Sequence, residues 1–319
     1  MEGKMKVAVM NGIGKMGYTT RDIPTPKDDE VLVKLEYVGI CGSDMHYYET
    51  GAIGHYVVEP PFVLGHEPGG TVVEVGKKVT HLKVGDRVAL EPGKTCGHCK
   101  FCREGKYNLC PDVVFFATPP VDGVFQEYVA HEAALCFKLP DNVSTLEGAL
   151  IEPLAVGFHA ANQGGAHAGQ TAVVMGAGCI GLMSMMALKS EGVSHVYVVD
   201  IMQARLDKAL ELGADGVING KDQNAVQAVL EAGRRVCYIF GKPLFQCGLS
   251  VRCEQGRFIV IPLCLQTSCI SIAYDGSAVP YPLGEARYAG VQESETGNPC
   301  CYFRRRHVCY LIRVNLKQM

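Results

Sequence analysis

The chain has 319 residues, of which 48% are apolar and 20% are charged, which is enough apolar material for two globular domains. This balance excludes disorder as the general state, and a net charge of −3 gives no basis for nucleic-acid or membrane-surface binding. The N-terminus lacks the apolar segment of a secretory signal, so we expect a cytoplasmic protein whose fifteen cysteines are reduced.

The first part of the chain, from residue 5 to about residue 150, has a β-rich pattern. Short runs of Val, Ile and Leu alternate with Gly, Pro and Asp, as in VLVKLEYVGI, GTVVEVG and DRVAL. This pattern predicts a small, barrel-like β domain.

Two groups of metal-ligand residues lie in this part. One is a compact run with the spacing C-x2-C-x2-C-x7-C, formed by Cys96, Cys99, Cys102 and Cys110. Four thiolates can surround one Zn²⁺ and leave no position for a substrate, so this run predicts a structural site. An iron-sulfur cluster or four unrelated loop cysteines are the alternatives.

The second group is spread more widely along the chain. Cys41 lies in GICGSD, His66 and Glu67 lie in VLGHEPGG, and Glu152 lies in ALIEPLAV. One cysteine, one histidine and one carboxylate can hold zinc and leave its fourth position for water or substrate. Alone, each residue is more often a packed or surface group; beside the four-cysteine run, together they predict a catalytic zinc.

From about residue 153 the pattern changes to alternating helices and strands. VGFHAANQ, CIGLMSMMALKSEG and MQARLDKALELG predict helices, whereas TAVVMG and HVYVVD predict buried strands. This alternation is typical of a parallel sheet with crossover helices. The uncharged run Ala172–Leu188 is too short to span a bilayer, so we expect no membrane partner.

A dinucleotide fingerprint follows the first predicted strand of this region. Its residues are Gly176, Gly178, Ile180 and Gly181. Asp200 ends the next strand, where an acid that binds the ribose 2′-hydroxyl of NAD and repels the extra phosphate of NADP is expected. Its alternative role is a turn former or helix cap. Arg205 is a candidate for the adenosine side, with a solvated helix face as the alternative.

Taken together, CGSDxH, GHE-x-x-G, the four-cysteine run, EPLAV and the glycine-rich turn resemble the zinc-containing medium-chain alcohol dehydrogenase superfamily. The stretch CGSDMHYYETGAIGHYVVEPPFVLGHEPGG is most similar to the sorbitol/xylitol dehydrogenase branch, and the likeness covers residues 5 to about 232. The resemblance implies a GroES-like zinc domain at 1–153 and a doubly wound Rossmann domain at 154–285, incomplete in its C-terminal half.

The resemblance also implies an activity and the residues that perform it. These are a catalytic zinc held by Cys41, His66 and Glu67, with Glu152 near the metal, and NAD-linked oxidation of a polyol to a ketose. Ser43 and His46 would relay the proton, with capping or surface roles as alternatives. Tyr47 would line the substrate pocket, with packing as the equal alternative. Dimers or tetramers are implied as well.

Beyond about Gly233 the likeness fails. Residues 1–232 contain 19 basic and 28 acidic residues, whereas 233–319 contain 11 and 5. We interpret 286–319 as a divergent tail and favour a shifted reading frame or an unusual splice as its origin. The runs Val236–Phe240 and Arg257–Ile261 still fit later strands of a Rossmann sheet. A non-catalytic zinc-binding relic and a butanediol or threonine dehydrogenase-like enzyme are therefore the alternatives to an active polyol dehydrogenase.

Overall fold

The computed structural model describes residues 2–231, 238–241, 260–261 and 310–313. The chain divides into two compact units. Unit 1 runs to Val156 and includes the strand at 310–313, and unit 2 begins at Gly157. The interpretation of 286–319 as a divergent tail falls outside the described residues, apart from that strand. No helix in the described ranges is long and apolar enough to cross a membrane.

Unit 1 is built mainly from strands, as the alternating pattern predicts. Its elements are β1 (Lys4–Gly12), β2 (Lys15–Asp22), β3 (Glu30–Ile40), α1 (Gly42–Thr50), β4 (Ala52–Ile53), β5 (Tyr56–Val57), β6 (Glu67–Val75), β7 (Arg87–Leu90), β8 (Gly93–Lys94), α2 (Lys100–Arg103), β9 (Val114–Phe115), β10 (Tyr128–Glu132), β11 (Cys136–Lys138) and α3 (Thr145–Ala149). Short 3-10 helices lie at Tyr107–Leu109, between α2 and β9, and at Ala133–Leu135, between β10 and β11.

The remaining elements alternate between helix and strand. They are α4 (Ile151–Gln163), which contains the boundary between the units, β12 (Thr171–Met175), α5 (Cys179–Ser190), β13 (His195–Asp200), α6 (Gln203–Glu211), β14 (Gly216–Asn219), α7 (Ala225–Glu231), β15 (Tyr238–Gly241), β16 (Val260–Ile261) and, in unit 1, β17 (Tyr310–Arg313). The predicted helices and strands of residues 153–213 are thus confirmed.

The main sheet of unit 1 has the order β10-β3-β6-β7-β11, and β17 pairs antiparallel with β3. Its apolar face forms a buried cluster with members on β3, β6 and β7, including Val33, Val72 and Val88. Burying one such side chain stabilises a fold by about 1.5–3 kcal/mol. β3 is the longest strand of this sheet, and it ends directly before Cys41.

The sheet of unit 2 is parallel and has the order β14-β13-β12-β15-β16. Its core contains apolar side chains of β12, β13 and α5, among them Val174, Val198 and Leu188. β15 overlaps the predicted run Val236–Phe240 and ends one residue beyond it, and β16 lies within the predicted run Arg257–Ile261. Both predicted strands are confirmed with different bounds. This order and direction of strands is that of a Rossmann sheet.

Candidate functional site

Cys41 meets the adjacent residues His66 and Glu67 at one end of β3 and β6. The ligand atoms of Cys41, His66 and Glu67 all lie within 4.8 Å of one another, and the three residues are buried. Gly39 is the register partner of Glu67 in the antiparallel β3–β6 pair. Because Cys41 follows β3 and His66 precedes β6, this register brings the residues together.

Asp44 joins the two segments that carry these ligands. Its Oδ2 accepts a hydrogen bond from the Cys41 N–H at 2.9 Å, and its Oδ1 accepts one from the Gly65 N–H at 2.8 Å. The His66 Nδ1 lies 3.7 Å from the same Oδ1, and Asp44 is 2% exposed. The sequence interpretation missed this residue, although an acid three positions after a helix-capping residue is a recognisable signal.

The donor set fits zinc. Burial raises the pKa of the Cys41 thiol to about 11, a hydrogen bond with Ser43 opposes this shift, and the charge of Asp44 reinforces it. A buried thiol next to carboxylates needs a nearby positive charge before it becomes a thiolate, and a divalent cation supplies that charge. Cysteine, histidine and carboxylate are the ligands that a catalytic zinc uses.

Glu152 lies in the first turn of α4, outside the three-residue group. Partial burial raises the pKa of its carboxyl, the charge of His66 opposes the shift, and the charge of Asp44 adds to it. Glu152 is therefore close enough to both residues to interact with them electrostatically. Of the two glutamates considered as ligands, Glu67 is the one whose carboxylate belongs to the group.

The other sequence candidates of unit 1 lie on α1. Ser43 hydrogen bonds to Cys41, and His46 is three residues further along the same helix. Tyr47 is 4% exposed and packs in an apolar cluster with Met10, Ile53, Val58, Phe62 and Leu64. Burial raises the pKa of Tyr47 to about 12. This environment agrees with the packing role that was considered for Tyr47, and its contact with substrate stays a prediction.

Phe115 is a further residue that the sequence interpretation missed. Its ring lies 5.7 Å from that of His66, at an interplanar angle of 56°. It belongs to β9, a two-residue strand too short to give an alternating pattern. The phenyl ring therefore lies beside the imidazole in a tilted arrangement.

The four cysteines of the compact run also converge. The sulfurs of Cys99 and Cys102 are 3.5 Å apart, and those of Cys96 and Cys102 are 3.9 Å apart. The sulfur atoms of a tetrahedral zinc site are about 3.8 Å apart, given a Zn–S bond of roughly 2.3 Å. Backbone N–H groups donate to these sulfurs, which favours thiolates; among them are Cys99 to Cys96, Cys102 to Cys99, and Cys96 to Cys110. The site fits a structural zinc.

In unit 2 the three glycines of the fingerprint have different surroundings. Gly176 has a φ of +105°, which favours glycine in the turn after β12. A Cβ atom at Gly181 would overlap the Gly176 carbonyl oxygen. A Cβ atom at Gly178 would meet nothing within 4 Å, so the space above this residue is open. Ile180 follows in the first turn of α5, whose N-terminus can hold a phosphate.

Asp200 ends β13 and closes the glycine-rich turn. Its Oδ2 accepts from the Ala177 N–H at 2.7 Å, and its Oδ1 accepts from the N–H groups of Ile201 and Met202 at 2.7 and 2.9 Å. The Arg205 guanidinium lies 3.9 Å from the same carboxylate. Asp200 therefore has the turn-forming role considered as its alternative, and binding of ribose stays a prediction.

Comparison with known proteins agrees with this geometry. The sequence model of the alcohol dehydrogenase GroES-like domain matches residues 27–141, and that of the zinc-binding dehydrogenases matches residues 179–275, which extends past Gly233. Sorbitol dehydrogenase of Bacillus subtilis is 49% identical over 70% of this chain and 64% of its own length.

Two solved structures are also similar. L-idonate 5-dehydrogenase of Escherichia coli has a TM-score of 0.74 at 30% identity, covering 88% of this chain and 80% of that one. 2R,3R-butanediol dehydrogenase of Bacillus subtilis has a TM-score of 0.67 at 37% identity, covering 75% and 70%. The chain covers 64%, 65% and 59% of the lengths of three curated relatives.

Proposed function

Since the chain belongs to the zinc-dependent alcohol dehydrogenase family, in its sorbitol dehydrogenase branch, we propose that it oxidises a small polyol to a ketose with NAD as the hydride acceptor. The convergence of Cys41, His66 and Glu67 within 4.8 Å carries this proposal, because that donor set leaves a zinc position open for a substrate oxygen.

The reaction assigns a role to each side chain. When bound, zinc lowers the pKa of the substrate hydroxyl, and NAD takes up the hydride. Cys41, His66 and Glu67 would hold the metal, and Asp44 holds the Cys41 and Gly65 segments in place. Ser43 and His46 would pass the released proton towards water. Phe115, whose ring lies beside that of His66, would help to exclude water from the site.

In unit 2, the open space over Gly178 and the N-terminus of α5 would take the pyrophosphate of the cofactor. The carboxylate of Asp200 would accept hydrogen bonds from the adenosine ribose, and its negative charge would disfavour the extra phosphate of NADP. NAD is therefore the proposed cofactor, and Arg205 would lie at the adenosine end.

Two alternatives remain from different classes. One is a zinc-binding relic that holds both metals without turnover. The other is a butanediol dehydrogenase-like activity, which the similarity to the Bacillus subtilis enzyme favours; a threonine dehydrogenase-like activity belongs to the same group. Homo-oligomers are a further proposal that follows from the family, and a cytoplasmic location stays a prediction.

One experiment separates these readings. The purified full chain is assayed for NADH absorbance with sorbitol, xylitol, butanediol and threonine, and its zinc content is measured by mass spectrometry. We expect two zinc ions per chain and the fastest NADH formation with a polyol. Two zinc ions without turnover would support the relic, and a zinc-free protein would contradict the metal sites themselves.

A further inference from the structure

Glu36 is the extra residue at an irregularity in the β3–β6 pairing. The register steps from Leu35 opposite Gly70 to Tyr37 opposite Gly69, so Glu36 has no partner in that register. Such a bulge redirects a side chain out of the regular alternation. The carboxylate of Glu36 accepts a hydrogen bond from the Thr71 hydroxyl at 2.6 Å and another from the Thr145 hydroxyl at 2.9 Å.

These hydrogen bonds connect three elements that contain or adjoin the metal-site residues. Glu36 lies on β3, which ends directly before Cys41. Thr71 lies on β6, which begins at Glu67, and Thr145 is the first residue of α3, which α4 and Glu152 follow closely. One carboxylate therefore joins the strand that ends before Cys41, the strand that begins at Glu67 and the helix that precedes α4.

A glycine makes the contact between β6 and α3 unusually close. A Cβ atom at Gly69 would overlap the carbonyl oxygen of Thr145 and crowd the backbone nitrogen of Ala149. The backbones of strand and helix thus lie in close contact at this point. The two hydrogen bonds of Glu36 lie at this same junction, and hydrogen bonds to a charged acceptor are stronger than neutral ones.

We propose that Glu36 is a positioning residue for the metal centre: by holding Thr71 and Thr145 together, it fixes the distance between the segments that carry Cys41 and Glu67 and the short helix α3, which leads into α4 and Glu152. The inference rests on the metal site of the proposed function and does not depend on turnover. Neither metal motif includes Glu36.

The test measures zinc release from the full chain after addition of a chelator. The four-cysteine site lies between β8 and β9, outside the elements that Glu36 joins, and serves as the internal reference. The release phase of the Cys41 site is identified in a Cys99→Ser background, in which the four-cysteine site has lost a ligand. The variants are Glu36→Ala, Thr71→Val, Thr145→Val and the conservative Glu36→Gln.

We expect Glu36→Ala to release zinc from the Cys41 site at least about tenfold faster, with release from the four-cysteine site unchanged. Each Thr→Val variant should accelerate zinc release from the Cys41 site by about two- to tenfold, which is the effect of one lost hydrogen bond. Glu36→Gln should lie between the unmodified chain and Glu36→Ala, because its amide can bond both hydroxyls but carries no charge.

The proposal would be overturned if Glu36→Ala accelerated zinc release from both sites equally or left release from the Cys41 site unchanged. It would also be overturned if Glu36→Gln released zinc from the Cys41 site as fast as Glu36→Ala does. If Glu36→Ala does not fold, the two Thr→Val variants decide the question by the same criterion. Failure of the unmodified chain to form NADH would contradict the proposed reaction and leave this comparison intact.

Discussion

Gly39 and Glu67 face each other across the β3–β6 pair, and Oε2 of Glu67 occupies the space that a Cβ atom on residue 39 would need. The glycine is therefore required by the neighbouring carboxylate, since its own φ does not lie in the left-handed region. The strand pairing and the metal-ligand geometry depend on each other at this position.

We expect Gly39→Ala to displace Glu67 and to weaken zinc binding at the Cys41 site by about 10–100-fold. Competition with a chromophoric chelator measures this affinity. Gly220→Ala is the control, because its Cβ would find only ordinary contacts, beginning at 3.8 Å. Unchanged affinity in Gly39→Ala would mean that Glu67 does not contribute to the site.

The two backbone contacts of Asp44 predict a graded response. Asp44→Asn keeps one carbonyl oxygen and loses an acceptor, whereas Asp44→Ala loses both contacts and leaves buried N–H groups unpaired. Each unpaired buried group destabilises a fold by about 1–3 kcal/mol. Thermal unfolding of the metal-free proteins should therefore rank the unmodified chain above Asp44→Asn, and Asp44→Asn above Asp44→Ala. Identical melting temperatures would contradict this role.

The four-cysteine site can be removed separately. We expect Cys99→Ser to lower the zinc content from two ions to one per chain while the Cys41 site keeps its ion. Metal analysis after dialysis measures this change. Cys179→Ser, at a cysteine that belongs to neither group, should retain both ions. Loss of both ions in Cys99→Ser would show that the two sites are interdependent.

Asp86 gives a pH dependence at a distance from both metal sites. A hydrogen bond with Lys138 and another from the Lys83 N–H hold the pKa of this carboxyl below its ordinary value of 3.8. A depressed pKa contributes stability above the ordinary value, and that stability is lost as the pH falls through the depressed pKa. Asp86→Asn should therefore lower the melting temperature at neutral pH, and the difference should shrink below pH 3.8.

Asp200 should control which cofactor binds. We expect Asp200→Ala to weaken NADH binding by about 10–100-fold, since hydrogen bonds to a charged group contribute about 1.5–3 kcal/mol. Discrimination against NADPH should fall at the same time. Calorimetric titration with both cofactors measures this. Asp207→Asn, which changes an exposed bond with Gln203 on α6, is the control and should leave both affinities unchanged.

The sequence predicted those features that repeat locally or lie close together. The alternation of β3 and of β12 to α6, the glycine fingerprint and the four cysteines all follow from spacing within short windows. Asp44 and Phe115 escaped because their importance depends on contacts with residues more than twenty positions away, Gly65 for one and His66 for the other. The bulge at Glu36 escaped because register is a property of two strands together.

The choice between Glu67 and Glu152 shows the same limit. Both follow a recognisable motif, and their spacing from Cys41 does not distinguish them. The strand register that places Glu67 opposite Gly39 does distinguish them, because it brings the Glu67 carboxylate to the cysteine and histidine. Tyr47 is another such case, since nothing in its neighbouring sequence indicates the apolar cluster that surrounds it.

The amide contacts of Asp44 have a consequence for how this protein acquires its ion. Because neutral peptide groups already tie the Cys41 and Gly65 segments together, the pocket has its shape before any cation enters. The ion then binds to a preorganised site, so cobalt or cadmium would replace zinc without refolding of the chain. Which metal ion occupies the site would then depend more on the metals available in the cell than on selection by the protein.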